Sequence, residues 1–199
     1  MSFIYSPDIL LAAYKKKNYK VEEGSYKLNI FGIRSKQINA NSFDDFIGVL
    51  YQDYGGVWNT RIYTGTTDPG SYWLQNPMKV LGTAIVVPGQ YLKSHKLGLH
   101  KGLYEALVQT SAIKVYRDRD KDTILDFDLT TVESGLFSIN IHRASEFHAS
   151  IQVDKWSAGC FVIADPKDFA DFMDLVKNWH IPEHGDGFNL TLFLEEDFE

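Results

Sequence analysis

The chain has 199 residues, enough for one domain, and its 44% hydrophobic and 23% charged residues predict an ordinary soluble globule. A net charge of −6 without a basic stripe argues against nucleic acid as a partner. The single cysteine excludes an internal disulfide framework, and no apolar stretch approaches the length of a membrane span.

Hydrophobic periodicity and turn signals predict a mostly β chain with a few packed helices, an α+β fold. In chain order, the expected elements are a helix over 7–18, a strand over 26–33, a short helix over 42–50, strands over 57–64, 82–87, 112–117, 124–129, 137–141 and 160–163, a helix from 166 and a strand over 188–194. Residues 90–102 are expected to form a loop, and 124–129 to be the hairpin partner of 112–117. Residues 1–55 are expected to form a small N-terminal helix/strand/helix element of the same globule, and 56–199 the main domain.

The two longer helices begin with clear signals. Ser6 and Asp165 are N-cap candidates, and each is followed by a proline at the first helical position. In the second of these helices the apolar residues step by three and four positions, which predicts a stripe that packs on the sheet. These residues are Phe169, Phe172, Met173, Val176 and Trp179.

Two short strands carry the residues to which we assign chemistry. His142 stands at the exit of the strand over 137–141, and Cys160 stands at the entry of the strand over 160–163. Three small residues, 157–159, precede the cysteine. If the two strands lie side by side, the imidazole and the thiol meet at the same end of a sheet. The sequence therefore predicts a Cys–His pair.

Such a pair suits nucleophilic thiol chemistry. A free thiol has a pKa of about 8.5, and a nearby histidine draws its proton and stabilises the thiolate. The amides of Gly159 and Cys160 are expected to face a developing oxyanion, an effect of roughly 3–4 kcal/mol per donor. Ser157 is expected to orient the imidazole or to bond the substrate. The structural alternative is a core cysteine beside a histidine that ends a strand.

These residues resemble the motif of the L,D-transpeptidase catalytic domain family. The family has His-Gly, a variable loop, and then Ser/Thr-x-Gly-Cys followed by an apolar residue and usually Arg or Asn. Here His142 is followed by Ser-Ala-Gly-Cys-Phe over 157–161, and the resemblance covers residues 80 to 164. Arg143 stands where the family usually has glycine, and Val162 where it usually has Arg or Asn.

The resemblance implies a peptidoglycan-modifying cysteine enzyme with a β-sandwich or β-barrel sheet and no cofactor. Cys160 would attack an amide carbonyl of a stem peptide, His142 would be the base, and Ser157 and Gly159 would be structural positions of the motif. The acyl group would pass to an amine, as in a transpeptidase, or to water, as in a carboxypeptidase or endopeptidase. The candidates for substrate binding are Arg143 (as an anchor for a carboxylate), Trp156 and His148.

Two other interpretations stay open. A zinc site made of His142, His148 and Cys160 would leave a fourth position for water. A non-catalytic β-rich module, bound to the cell wall or part of a virion, would keep the motif without activity. His95 and His100 are interpreted as exposed loop histidines, because a metal site needs further converging ligands.

An acidic segment follows the strand over 112–117. Asp118, Asp120 and Asp122, with Asp126 further on, stand at alternate positions, as acids do in calcium loops. The segment lacks the central glycine and the terminal glutamate of an EF-hand loop, and two basic residues are interleaved. We interpret it as a solvated hairpin tip, and calcium stays an open alternative.

The N-terminal residues lack the basic segment and the cleavage site of a secretory signal. If peptidoglycan is the target, the protein is expected to reach it by another route, such as a removed signal, a lysis system or delivery by a partner. A phage-derived cell-wall enzyme would fit this expectation.

Overall fold

The computed structural model describes residues 5–199, and in that part of the chain eleven strands and a few helices form one α+β fold. The strands are β1 (Asn29–Arg34), β2 (Asp45–Gln52), β3 (Trp58–Thr66), β4 (Thr83–Val86), β5 (Gly89–His100), β6 (Tyr104–Gln109), β7 (Ile113–Asp118), β8 (Glu133–Gly135), β9 (Ile141–Arg143), β10 (Phe161–Ile163) and β11 (Phe188–Leu194). The helices are α1 (Pro7–Lys16), α2 (Ser71–Gln75), α3 (Pro166–Asp174), a π-helical stretch (Leu175–His180), α4 (Ile181–His184) and 3₁₀ turns at Leu129–Thr131 and Glu195–Phe198.

Eight of the strands close into a barrel in the order β1-β11-β5-β6-β9-β10-β3-β2. The pairs β1–β11 and β9–β10 are parallel, and the other neighbours are antiparallel. The remaining strands form a small sheet in the order β4-β7-β8. The prediction of a mostly β fold with packed helices is confirmed. The first two strands, which come from residues 1–55, are part of the barrel.

One face of the barrel sheet shares a core of large apolar side chains with α3 and its continuation, and α1 packs on the opposite face. Phe161 and Phe188 are fully buried in this core with β-branched residues of β1, β2 and β10. On the opposite face α1 packs through Leu10 and Tyr14, whose ring lies 5.0 Å from that of Phe193 in an edge-to-face contact. Burial of such side chains stabilises a domain by roughly 1.5–3 kcal/mol each.

The predicted starts of α1 and α3 are confirmed. Ser6 Oγ accepts the amide of Ile9 (3.5 Å), and Asp165 Oδ1 accepts the amide of Lys167 (2.8 Å). Four of the five stripe residues of α3 and its continuation are buried. The fifth, Trp179, is 37% exposed, and its indole stacks on Tyr26 at a centroid distance of 4.4 Å.

The predicted short helix over 42–50 is wrong, because this segment contains β2, which pairs with β1 on one side and β3 on the other. Asp45 has the position of an acid in the first turn of a helix. Its buried carboxylate instead accepts the amides of Ser35 (2.8 Å) and Thr67 (2.7 Å). The acid therefore joins two strand ends rather than capping a helix.

The predicted loop over 90–102 is also wrong, because most of this segment belongs to β5, which forms a hairpin with β6. The connecting turn has positive φ at Lys101 (+51°) and Gly102 (+74°), and Leu103 donates its amide to His100 O (3.0 Å). This geometry is a type I′ turn, which matches the twist of the flanking strands.

The predicted hairpin of 124–129 with 112–117 is not present, because β7 lies between β4 and β8. The amide of Leu125 instead bonds Ile38 O (2.8 Å).

Within residues 5–199, no helix combines the length and the hydrophobicity that a membrane span requires.

Candidate functional site

The parallel pair β9–β10 brings together the ends of the chain segments that carry His142 and Cys160. Val162 lies opposite His142 in the register, and Phe161 lies opposite Ile141. Cys160, one residue before β10, therefore lies opposite Asn140, whose amide points to Sγ at 3.5 Å. Since side chains alternate along a strand, the thiol, Asn140 and His142 share one face. The predicted adjacency of the two segments is confirmed, but the predicted strand over 137–141 is wrong in its bounds, because β9 begins at Ile141 and contains His142.

This face forms one wall of a cavity of about 490 Å³. Cys160 is half-buried and His142 is buried, and both line this cavity. Aromatic and apolar side chains line much of the remaining wall. They are Trp73, Met78, Leu99, Phe137 and Trp156.

The ring of His142 is held in one orientation and one tautomer. Nδ1 lies 2.7 Å from Arg143 O, an acceptor, so Nδ1 carries the proton. The hydroxyl of Tyr104 donates to the same carbonyl (3.2 Å) and lies 3.2 Å from Nδ1. Nε2 therefore has the lone pair, and it is buried without a hydrogen-bond partner among the described residues. A lone pair in this state is available as a proton acceptor.

A second imidazole, that of His100, stacks on His142 with ring centroids 3.9 Å apart and planes at 25°. Asn140 Oδ1 accepts the amide of Gln109 (3.1 Å), which leaves Asn140 Nδ2 to donate to His100 Nδ1 (3.1 Å). His100 is therefore neutral with its proton on Nε2. Burial lowers the pKa of His100 to about 4.

The thiol and the imidazole rest as a neutral pair. Sγ donates to Ser138 O (3.3 Å), and no hydrogen bond joins Sγ to His142 among the described residues. Burial, with the nearby His100 adding to it, lowers the pKa of His142 to about 3. Burial raises the pKa of Cys160, although the Asn140 amide and Lys101 act against this. The stabilised thiolate expected from the sequence is thus not the resting form.

We expect alkylation of Cys160 by iodoacetamide to be slow at neutral pH and to accelerate until well above the ordinary thiol pKa. The raised pKa leaves little thiolate below that value, and the thiolate is the reacting species. The rate should be measured from pH 6 to pH 10 against a free cysteine peptide. A plateau below pH 8 would show a preformed thiolate–imidazolium pair and contradict this expectation.

The loop before Cys160 is fixed by the side chain of Ser157. Its hydroxyl donates to Cys160 O (2.8 Å) and accepts the amide of Gly159 (3.1 Å). Both bonds lie within the loop, and within residues 5–199 no hydrogen bond joins Ser157 to the imidazole of His142. The Gly159 amide is occupied in this way, whereas the Cys160 amide has no acceptor among residues 5–199. Of the two expected oxyanion donors, the Cys160 amide is therefore the free one.

The three predicted substrate-binding residues lie in different surroundings. Trp156 lines both the cavity of Cys160 and a second cavity of about 460 Å³ on the other side of His142. Arg143 lines the second cavity, where its guanidinium lies over the Tyr104 ring (3.9 Å) and pairs with Glu146 (3.2 Å). His148 lies outside both cavities, in a shallow depression beside Trp156.

The β5–β6 hairpin contributes three site residues that the sequence did not indicate: His100, Lys101 and Tyr104. Lys101 lines both cavities, and its exposed ammonium forms no ion pair within the described chain. The sequence did contain one signal for this hairpin. Lys101-Gly102 lies between two segments of alternating polarity, and type I′ turns favour glycine at the second central position.

The prediction of exposed loop histidines is wrong for both residues concerned. His95 is fully buried, with Nδ1 2.9 Å from Ser94 Oγ and Nε2 2.8 Å from Ile139 O. His100 is buried against His142. The zinc ligands considered above do not converge either: within residues 5–199, the donor atoms of His142, His148 and Cys160 do not all lie within 4.8 Å of one another.

Comparisons with protein-family models, with curated proteins and with solved structures give no match to this chain.

Proposed function

We propose that the protein is a cysteine-dependent acyl-transfer enzyme that acts on amide bonds of peptidoglycan stem peptides, as an L,D-transpeptidase or as an L,D-carboxypeptidase or endopeptidase. The observation that carries the proposal is the buried, unpartnered Nε2 of His142 on the cavity wall that also holds the thiol of Cys160. Buried polar atoms are nearly always hydrogen-bonded, and exceptions point to a functional role. The sequence motif around Cys160 supports the substrate class.

In the proposed reaction, Sγ attacks the carbonyl carbon while its proton moves to Nε2 of His142. A thioester C–S bond forms through a tetrahedral oxyanion, which the Cys160 amide stabilises. Collapse of this intermediate breaks the C–N bond, and the imidazolium returns the proton to the leaving amine. An acceptor amine or water then attacks the thioester and regenerates the thiol. Because the resting pair is neutral, charge separation occurs only when a substrate carbonyl is present.

The two cavities support a reaction in which the acyl donor and the acceptor bind at separate places. They share His142, His100, Lys101 and Trp156, and one of them holds Cys160. A donor peptide bound beside the thiol would leave the second cavity for the acceptor. Lys101 is placed to bind a peptide carboxylate from either side, a role that Arg143 fills less well because Glu146 already pairs with it.

Mass spectrometry of the intact protein, and then of its tryptic peptides, tests the proposal. After incubation with muropeptides, or with a carbapenem as an acylating probe, we expect a covalent adduct on the tryptic peptide 156–167, which contains Cys160. The matched control is Cys160→Ala, which removes one sulfur from a half-buried position and is expected to give no adduct with an unchanged melting temperature. The absence of both adduct and muropeptide product with the wild-type protein would refute the proposal that the protein is an enzyme.

The alternative is a non-catalytic module that binds the cell wall or belongs to a virion. The thiol hydrogen bond to Ser138 O and the raised pKa of Cys160 favour it, because they describe an unreactive thiol. A wild-type protein that binds muropeptides, with unchanged affinity after Cys160→Ala and with no product, would support this alternative.

A further inference from the structure

Three carboxylates converge on the loop that follows β7. One oxygen each from Asp118, Asp120 and Asp126 lies within 4.8 Å of the other two. Calcium binds oxygen ligands at 2.3–2.6 Å, so two ligands on opposite sides of one ion are separated by roughly 4.6–5.2 Å. The three oxygens therefore already have the spacing of ligands around a single ion.

Asp118 provides an independent observation, because it is a buried carboxylate that lacks a partner. The side chain is 1% exposed, and Oδ2 accepts the amide of Asp126 (3.0 Å). Oδ1 is buried and has no hydrogen-bond partner among the described residues. Burial raises the pKa of Asp118 to about 6, and the facing carboxylates of Asp126, Asp120 and Asp122 add to this effect.

No ion pair compensates this charge within the described residues. In the chain from 5 to 199, no lysine, arginine or histidine nitrogen lies within 4.0 Å of these three carboxylates. Of the neighbouring basic residues in sequence, Arg119 and Lys121 are exposed, and the buried Arg117 pairs with Glu133 (2.9 Å). A buried, unpaired carboxylate is unfavourable unless it is protonated or binds a cation.

We propose that Asp118, Asp120 and Asp126 bind a calcium ion. Calcium fits better than zinc because the ligands are all oxygens, and better than magnesium because an irregular loop suits a large ion with flexible coordination. Asp122 stands at the intervening alternate position, but its Oδ1 accepts the amide of Ile124 (2.6 Å) and shapes the turn. The site replaces the interpretation of this segment as a solvated tip.

The ion would stabilise the loop that supports the segment before Cys160. The loop bonds residues 38–40 through Thr123 O to the Ala40 amide (2.9 Å) and through the Leu125 amide to Ile38 O. The next residue, Asn41, accepts the amide of Asp154 at Oδ1 (2.6 Å). Calcium is thus assigned a structural role, which does not depend on the proposed function.

Thermal unfolding of the full chain tests the site. After EDTA treatment and dialysis, we expect calcium at about a hundredfold excess over its Kd to raise the melting temperature by about 5–10 °C. Isothermal titration with calcium chloride should give one site. Magnesium at the same concentration should give a much smaller rise, and an equal rise would overturn the assignment to calcium.

The variant that tests the calcium ligands is Asp120→Asn. We expect it to fold, because Asp120 is exposed and the asparagine amide oxygen can still accept the Asp122 amide (3.1 Å). We expect its Kd for calcium to rise at least tenfold. The matched control is Glu23→Gln, which removes one exposed carboxylate far from the loop in sequence and should leave the response unchanged. No calcium response in the wild-type protein, or an equal response in Asp120→Asn, would refute the site.

Discussion

Replacing His142 by glutamine is expected to lower the rate constant for acylation of Cys160 by about 10²–10⁴. The buried Nε2 is the proton acceptor in the proposed reaction, and a glutamine amide cannot take a proton at neutral pH. The glutamine amide lies one bond further along the side chain than Nδ1, which His142 places 2.7 Å from Arg143 O, so the effect of the change on stability has to be measured separately. The measurement is the time course of the carbapenem adduct by mass spectrometry, with the melting temperature recorded in parallel.

The pH dependence of the wild-type rate provides a second readout. Burial lowers the pKa of His142 to about 3, so the imidazole stays unprotonated as pH falls through 6.5, and the same shift makes it a weaker base. We expect no loss of rate between pH 8 and pH 5 from protonation of this residue. The control is His148→Gln, which changes an exposed histidine outside both cavities and should have little effect. Equal rates in His142→Gln and the wild type would contradict the assigned base.

Gly159→Ala is expected to lower the free energy of unfolding by about 2–4 kcal/mol, because two penalties combine. The φ angle of Gly159 is +113°, a conformation that residues with a Cβ rarely adopt. A Cβ at this position would lie 2.4 Å from Ala84 O, a backbone atom of β4 that cannot easily move. The melting temperature should fall by about 5–15 °C.

Gly185→Ala is the matched control for Gly159→Ala. Gly185 also has positive φ (+77°), but nothing lies within 4 Å of the Cβ that alanine would add. The control therefore carries the conformational penalty alone, about 1–3 kcal/mol, because its φ and ψ (+77°, −176°) lie in a region that only glycine ordinarily adopts. Equal losses of stability in the two variants would show that contact with Ala84 O is unimportant. Acylation should decrease in Gly159→Ala alone, because that change displaces the Cys160 amide.

Local signals predicted the elements whose ends and faces are set by nearby residues. Ser6 and Asp165 cap their helices as expected, and the alternating residues over 188–194 form β11. The segments that were misread take their structure from distant partners. Asp45 has the position of an acid in the first turn of a helix, but its carboxylate bonds Thr67, which is 22 residues away in the chain.

The candidate site likewise contains residues that local signals indicated and residues that only distant contacts bring in. The sequence indicated Cys160 and His142 because each was predicted to adjoin a short strand; the two segments do pair, although His142 lies within β9 rather than after it. It did not indicate His100, which reaches the site through the stacking of one imidazole on another between β5 and β9. It also predicted a stabilised thiolate from the nearness of a histidine. Burial raises the thiol pKa and lowers the imidazole pKa, and burial is a property of the whole fold rather than of the motif.

The parallel pairing of β1 with β11 has a consequence for how the polypeptide acquires its structure. Ile30 pairs with Leu190, so the seam of the barrel joins an early segment to one synthesised much later. Until β11 emerges from the ribosome, β1 and β5 expose unsatisfied backbone edges that are able to pair with other chains. Because contacts so far apart in sequence form slowly, maturation is expected to finish after translation and to benefit from chaperones that shield those edges.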